Sequence, residues 1–316
     1  MSADVRAATD ALVAQVGRIV LGKRAVVERL FGALLVDGHV LIDDVPGVGK
    51  TTLARAVARS LDLSFSRIQC TPDLVPSDIT GVSVYDPARG AFSYRPGPLV
   101  ANVVLVDEIN RATPRAQSSL LEAMQERQVT VDEASHPLPD PFFIIATQNP
   151  VELEGTFPLP EAQLDRFLLV LRLGYPEVGE EEGILRTHGP VTVAAETLAP
   201  LFDRAAVLAL REAVRAVRVG EAVRSYIVAL VRATRKADGV ELGASPRAAL
   251  ALYRAAQAQA AMRGRGHVLP DDVKAQAQAV LAHRIFLGAD AQMRGRGGAA
   301  VVTEVLNRVP VPAEEA

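Results

Sequence analysis

A chain of 316 residues, 49% hydrophobic and 22% charged, is long and apolar enough for about two domains with a buried core, which excludes a disordered polymer. Its 34 basic and 37 acidic residues nearly cancel, to a formal charge of −3, which argues against a general nucleic-acid binder with its usual basic excess. One cysteine, Cys70, excludes an intramolecular disulfide and fits a reducing compartment. No apolar run reaches the roughly 18–20 residues of a membrane span, and residues 1–10 lack the pattern of a signal peptide. A soluble cytoplasmic protein is expected.

Apolar residues at three- and four-residue spacing predict helices over 4–17 and 25–36, with a turn at Gly22 between them. The run 39–42 stops at Asp43-Asp44-Val45-Pro46-Gly47, as a buried strand does on entering a loop. A helix is predicted over 51–61. Further apolar runs lie at 65–68, 103–106, 142–146 and 167–171, with a helix pattern at 113–126. Short runs apolar on both faces, alternating with helices, predict an α/β fold around a five-stranded parallel sheet.

Two segments break this rhythm. Residues 71–98 hold five prolines and three glycines, and the pieces 81–85 and 91–94 flank a Pro-Ala-Arg-Gly turn. This predicts a β-hairpin outside the sheet. Residues 129–140 predict a second hairpin, and both are expected to follow strands near the site. After Tyr175-Pro176 the chain becomes alanine-rich and strand-poor, with helices predicted at 201–217, 221–237, 246–262 and 270–285. Pro246 and Pro270 stand at first-turn positions, where helices accept proline. The expected domains are a nucleotide-binding core over 1–190 and a helical domain over 191–316.

The segment Asp44-Val45-Pro46-Gly47-Val48-Gly49-Lys50-Thr51 lies between a predicted strand and helix. A phosphate loop needs glycines that turn backbone N–H groups onto the phosphates, a lysine for the β/γ-phosphates and a hydroxyl for Mg²⁺. Gly47, Gly49, Lys50 and Thr51 supply these, whereas Asp44 stands where the full pattern has its first glycine. The strand 103–106 ends in Asp107-Glu108, which puts one carboxylate on the Mg²⁺ and the next beside a water. Asn149 ends another strand, at the sheet edge where open α/β folds bind ligands. Arg166 precedes the fifth strand, and Arg247 opens a helix whose dipole would favour an acid instead. Both arginines suit phosphate charge, although each could equally serve on the surface or in a local ion pair.

Together these elements resemble the MoxR family of AAA+ ATPases, over about residues 22–312. The most specific matches are 45–51, Thr71-Pro72-Asp73-Leu74-Val75-Pro76-Ser77-Asp78, Arg95-Pro96-Gly97-Pro98, Asp107-Glu108-Ile109-Asn110-Arg111, Ala146-Thr147-Gln148-Asn149-Pro150 and the stretch 159–167. The resemblance implies an αβα core with a helical lid, and ATP and Mg²⁺ as cofactors. By this similarity Lys50 and Thr51 form the Walker A pair, with Val45, Pro46, Gly47, Val48, Gly49 and Thr52 around the nucleotide. Asp107 and Glu108 form the Walker B pair, with Thr51 and Asp107 on the metal directly or through water. Val20, Leu21 and Gly22 lie against adenine, and Asn149, Arg166 and Arg247 act as sensor 1, arginine finger and sensor 2. The inserts correspond to a helix-2 insert and a hairpin before sensor 1. The family forms homo-oligomeric rings, usually hexamers. It is associated with chaperone-like maturation of protein complexes and with cofactor insertion, often beside proteins carrying a von Willebrand factor A domain.

The five histidines are scattered without metal-ligand spacing, and Cys70 reads as a small buried hydrophobe. Three other functions remain open: the motor subunit of a metal-chelatase-type complex, a nucleic-acid motor on the same core, and a small-molecule kinase. The nucleic-acid reading is disfavoured by the charge balance and by 129–140, which holds Asp132 and Glu133 but no lysine or arginine.

Overall fold

The chain is described by a computed structural model over residues 4–45, 47–88, 90–150, 155–188 and 195–312. Helices α1 (Val5–Val16) and α2 (Arg24–Leu35) lead into β1 (Val40–Asp43), α3 (Lys50–Ser60) and β2 (Phe65–Gln69). A short helix α4 (Pro76–Thr80) and a hairpin of β3 (Gly81–Asp86) and β4 (Ala91–Pro96) form the first insert. Then come β5 (Val103–Asp107), α5 (Pro114–Glu126), a second hairpin of β6 (Gln128–Val131) and β7 (Ala134–Pro137), β8 (Phe143–Gln148), α6 (Glu161–Leu164) and β9 (Leu169–Leu171). The remainder runs through α7 (Val178–His188), α8 (Arg204–Arg215), α9 (Glu221–Thr234), β10 (Val240–Leu242), α10 (Pro246–Met262), α11 (Pro270–Leu281), β11 (Phe286–Leu287), α12 (Ala289–Met293) and α13 (Gly298–Arg308).

The five expected strands form one parallel sheet in the order β2-β5-β8-β1-β9. Side chains alternate across each strand, so the sheet faces two cores. Val40, Ile42, Leu105 and Ile145 face the helices α1–α3, while Leu41, Val104, Val106 and Ile144 face α4 and α5. The first of these cores continues without a break into the helical half, through Leu210, Leu230, Leu252, Val273 and Val301. The boundary expected at 190/191 falls outside the described residues.

Three features differ from the sequence reading. The second hairpin follows helix α5 instead of a strand, and it starts beside the amino end of β8, away from the glycine loop. Arg127, the left-handed C-cap of α5, fixes it there by donating to the carbonyls of Phe142 at 2.6 Å and Asp37 at 2.7 Å. The two hairpins also meet, with the Tyr94 ring stacked on the His136 imidazole at 3.8 Å and an interplanar angle of 13°. Finally, β10 and β11 pair in an antiparallel ladder within the helical half; at three and two residues they are too short to carry a periodicity.

Buried polar groups pin the amino edge of the sheet. The Ile144 N–H donates to His39 Nδ1 at 3.0 Å, which leaves Nε2 to donate to the Met124 carbonyl at 3.3 Å. His39 is therefore held neutral: burial first, and the Arg127 charge second, push its pKa down to about 3. Burial likewise lowers His283 well below the ordinary histidine value. An unfolded histidine takes its proton near pH 6.5, so this stability is complete above that pH and is lost as pH falls from there towards 3. Between pH 7.5 and 5.0 His39 alone should cost about 2 kcal/mol of unfolding free energy. Urea unfolding of the wild type and His39→Gln at both pH values tests this. The same pH slope in both proteins would remove His39 as its source.

Candidate functional site

The carboxyl ends of β1, β5 and β8 lie side by side, because the parallel register sets Asp43 opposite Gln148 and Gln69 opposite Asp107. β1 runs out through Asp44 into the glycine loop, and Gly49 caps α3 with φ of 87°. Gly47 has φ of 86°, and nothing lies within 4 Å of where a side chain would project from either glycine. Glycine adopts this conformation without strain, and the loop leads into a helix N-terminus, a combination suited to an anion. Pro46 lies outside the described residues. Val48 packs with Val20 against the main core, and Thr52 is exposed on the first turn of α3.

The Lys50 amine donates to the Asp44 carbonyl at 2.7 Å. Burial pushes the Lys50 pKa down, against the opposing pull of Asp107, Asp44, Glu108 and Asp43. A desolvated ammonium in this position gains from an incoming phosphate.

Asp107 divides its carboxylate. Oδ1 accepts from the Thr147 hydroxyl at 2.6 Å, and Oδ2 accepts from the Thr51 hydroxyl at 3.3 Å. Two oxygen donors converging in this way fit a Mg²⁺ whose remaining ligands are phosphate and water. Among the described residues there is no cluster of three or more His, Cys, Asp or Glu side chains that could hold a metal.

Glu108 adopts φ 57° and ψ 50°, a conformation that costs a non-glycine residue about 1–2 kcal/mol. Its N–H donates to the Thr147 hydroxyl at 2.9 Å, which offsets part of that cost. Its Oε2 accepts from Gln69 Nε2 at 3.1 Å and lies 3.2 Å from Arg111 Nε. Cys70, which follows Gln69, is fully buried, and burial with the nearby Asp107 and Glu108 charges pushes its thiol up to about 12. It is therefore an inert apolar residue, as expected.

Leu21 and Gly22 lie under α7, and Val20 packs on the main core. Added atoms at Gly22 would strike the Glu180 carboxylate, and at Gly183 the Leu21 side chain, so two glycines permit this approach. Asn149 follows β8 and is buried at the same edge. Arg166 and Arg247 lie elsewhere. Both line a cavity of about 340 Å³ at the amino edge of the sheet, together with His39, Arg127, Arg254 and Arg284. Arg284 is buried and donates to Asp165 at 2.6 Å, which fixes the segment that carries Arg166.

This chain resembles known proteins along nearly its whole length. Residues 39–169 match the ATPase family associated with various cellular activities (AAA), and residues 232–305 match the AAA lid domain. Chaperone MoxR1 of Mycobacterium tuberculosis is 43% identical over 94% of this chain and 81% of its own. The chain belongs to the MoxR family of AAA+ ATPases. The uncharacterized protein YeaC of Bacillus subtilis is 48% identical, over 96% of this chain and 94% of its own. A crystal structure of a provisionally named ATPase from Cytophaga hutchinsonii, 37% identical, superposes with a TM-score of 0.91 over 98% of this chain and 96% of its own.

Four residues near this MoxR-family site are not assigned by the sequence: Asp44 as a tether, Thr147, Arg67 and Gln69. A charged and an amide residue alternating near the end of an apolar strand is the signal that marks Arg67 and Gln69. Asp44, which reads as a departure from the loop pattern, binds the loop to the sheet. Its Oδ1 accepts from the Val45 N–H at 2.8 Å, and its Oδ2 from the N–H groups of Leu173 and Gly174 at 2.6 and 2.7 Å. Asp44→Ala should cost about 3 kcal/mol of stability, since buried donors lose a charged acceptor. It should also weaken nucleotide binding. Asp44→Gly, which restores the missing loop glycine, should behave like Asp44→Ala. Thermal unfolding and nucleotide titration of both variants test this, and undiminished binding in the glycine variant would exclude the tether.

Proposed function

We propose that the chain works in a homo-oligomeric ring, with six subunits expected, as a Mg²⁺-dependent ATPase that remodels a protein client. The observation that carries this reading is the separation of the two sets of residues. Lys50, Thr51, Asp107 and Glu108 stand at the carboxyl edge of the sheet. Arg166 precedes β9, which runs parallel to β1, so it stands at the opposite edge with Arg247. On this reading neither arginine serves the nucleotide bound by its own chain. Both are offered to the nucleotide of a neighbouring subunit.

The chemistry then divides among named groups. The glycine loop and Lys50 bind the β- and γ-phosphates, and Val20, Leu21 and Gly22 bound the adenine. Thr51 and Asp107 hold Mg²⁺, which when bound supplies positive charge at the phosphate oxygens. Glu108 orients the attacking water and accepts its proton, while Asn149 bonds at the γ-phosphate side. Arg166 and Arg247 from the neighbour balance the charge that develops on the transferred phosphoryl group.

The similarity to a protein named a chaperone supports a protein client, and we include complex maturation or cofactor insertion beside a von Willebrand factor A domain protein. The hairpins offer the contact surface: Tyr85 and Phe92 pack edge to face on the first, with Phe92 73% exposed.

Arg166→Ala should nearly abolish hydrolysis while sparing ATP binding, because a finger supplied in trans is worth about 10³–10⁵ in rate where measured. Mixing Arg166→Ala with Lys50→Ala should restore part of the activity, since some interfaces then pair an intact Lys50 with an intact Arg166. Arg247→Ala should complement Lys50→Ala in the same way. Mixtures as inactive as their parents, under conditions where subunits exchange, would rule out action across the interface.

Glu108→Gln should bind ATP without hydrolysing it and should retain client protein in a pull-down. Deleting residues 86–90 in that background should abolish the retention while leaving ATP binding intact. Equal retention with and without the hairpin tip would exclude it as the client contact.

A further inference from the structure

We propose that Arg67 competes with a divalent cation for Asp107, and that its guanidinium must leave Asp107 before a metal–nucleotide can be held; this rests on the nucleotide-site reading above. Oδ1 of Asp107 is committed to Thr147, and Oδ2 alone faces the Thr51 hydroxyl. That same Oδ2 accepts from Arg67 Nη2 at 2.7 Å and from Arg67 Nε at 3.2 Å. The cationic fork therefore occupies the oxygen that a Mg²⁺ shared with Thr51 would need.

Three properties make this a competition instead of a fixed structural pair. Arginine does not lose its proton, so its charge stays beside Asp107 until a competing ion separates the pair. The Arg67 side chain is 43% exposed against 12% for Asp107, so it enters from solvent and can return there. Mg²⁺ requires close, near-octahedral oxygen ligands, which a guanidinium on the same oxygen obstructs by both size and charge.

The displacement also reaches the hydrolytic carboxylate. Arg67 Nη2 donates to Gln69 Oε1 at 2.8 Å, and Gln69 Nε2 donates to Glu108 Oε2 at 3.1 Å. Arg67 and Gln69 lie two apart on β2, on one side of the strand. When Arg67 leaves, Gln69 loses a partner and Glu108 loses a fixed neighbour. Arg67 is thus a positioning residue that couples arrival of the metal to release of Glu108.

The test follows Mg²⁺ titrated into the full chain with a fixed concentration of a fluorescent, non-hydrolysable ATP analogue, reading binding and not turnover. The Mg²⁺ midpoint should fall about tenfold in Arg67→Ala, the scale of one charge-assisted hydrogen bond. It should fall much less in Arg111→Ala, which removes an equal charge from the Glu108 side. Arg67→Lys, which keeps the charge but loses the fork, should lie between. Mg²⁺ alone should raise the thermal midpoint of Arg67→Ala and leave that of the wild type unmoved. A midpoint unchanged or raised in Arg67→Ala, or an equal fall in Arg111→Ala, would overturn the proposal. Failure of the wild type to bind the analogue at any Mg²⁺ concentration is a separate result, and would remove the nucleotide-site reading together with this inference.

Discussion

A single carboxylate, that of Asp107, is where three strands and one helix meet. It ends β5, takes a hydroxyl from Thr147 on β8, a guanidinium from Arg67 on β2 and a hydroxyl from Thr51 on α3. Taking it out of water is costly, and the carboxylate is tolerated because its oxygens are bonded and a cation stands beside it. The register of the parallel sheet is what makes this convergence possible. A shift of one residue in β5 would turn Asp107 to the other face, and none of these partners could follow. The glycine loop and Glu108 take their positions from the same alignment, one held by Asp44 against the residues that follow β9 and the other by Thr147 of β8.

The sheet separates two kinds of chemistry along one direction. At its carboxyl edge the cations among the described residues, Lys50, Arg67, Arg111 and Arg172, stand bonded or paired with Asp44, Asp107, Glu108 and Asp43 in turn. At its amino edge the cavity is rich in arginine, with Asp37 and Asp165 as its carboxylates. In the ring proposed above, the arginine-rich edge of one copy would meet the nucleotide edge of the next, a heterologous contact of the kind that generates rings when the rotation closes.

Most of the architecture is legible in the sequence for one reason: strands buried on both faces must be apolar, and β1, β5 and β8 are until their polar carboxyl ends. Helix α10 is legible to the residue because Ser245 caps it, Pro246 occupies its first position and Gly264 follows shortly after its end. Helix α7 is not, because its acidic start carries no clear apolar stripe, and β10 and β11 are too short to show an alternation. The site divides the same way. The glycine loop and Asp107-Glu108 are local patterns, each complete within a few residues. Asp44 acts on Leu173 across 129 residues, Arg67 on Asp107 across 40 and Gln69 on Glu108 across 39. No local spacing encodes those partners. They exist only once the strand order is set, which is why Asp44 reads as a defect in the loop until its bonds to the segment after β9 are seen.

The order of the chain also decides what the inserts can sense. Gln69 is both the last residue of β2 and a partner of Glu108, and the chain then passes through buried Cys70 into the segment leading to α4. Helix α4 packs on α5 and β6, and the Tyr94 ring of the first hairpin rests on His136 of the second. The second hairpin returns to the sheet at Arg127, which bonds Phe142 at the amino end of β8. A continuous set of packed contacts therefore runs from Glu108, through both hairpins, to the edge that carries Arg166 and Arg247. Packed side chains move between discrete arrangements and do not deform smoothly, so a change in the bonding of Gln69 has a physical route to the hairpins. The second hairpin's origin at the amino edge, which the sequence does not suggest, is what closes that route. Had it sprung from a strand end beside the glycine loop, the hairpins would touch the nucleotide edge alone, and nothing would link them to the arginine cavity.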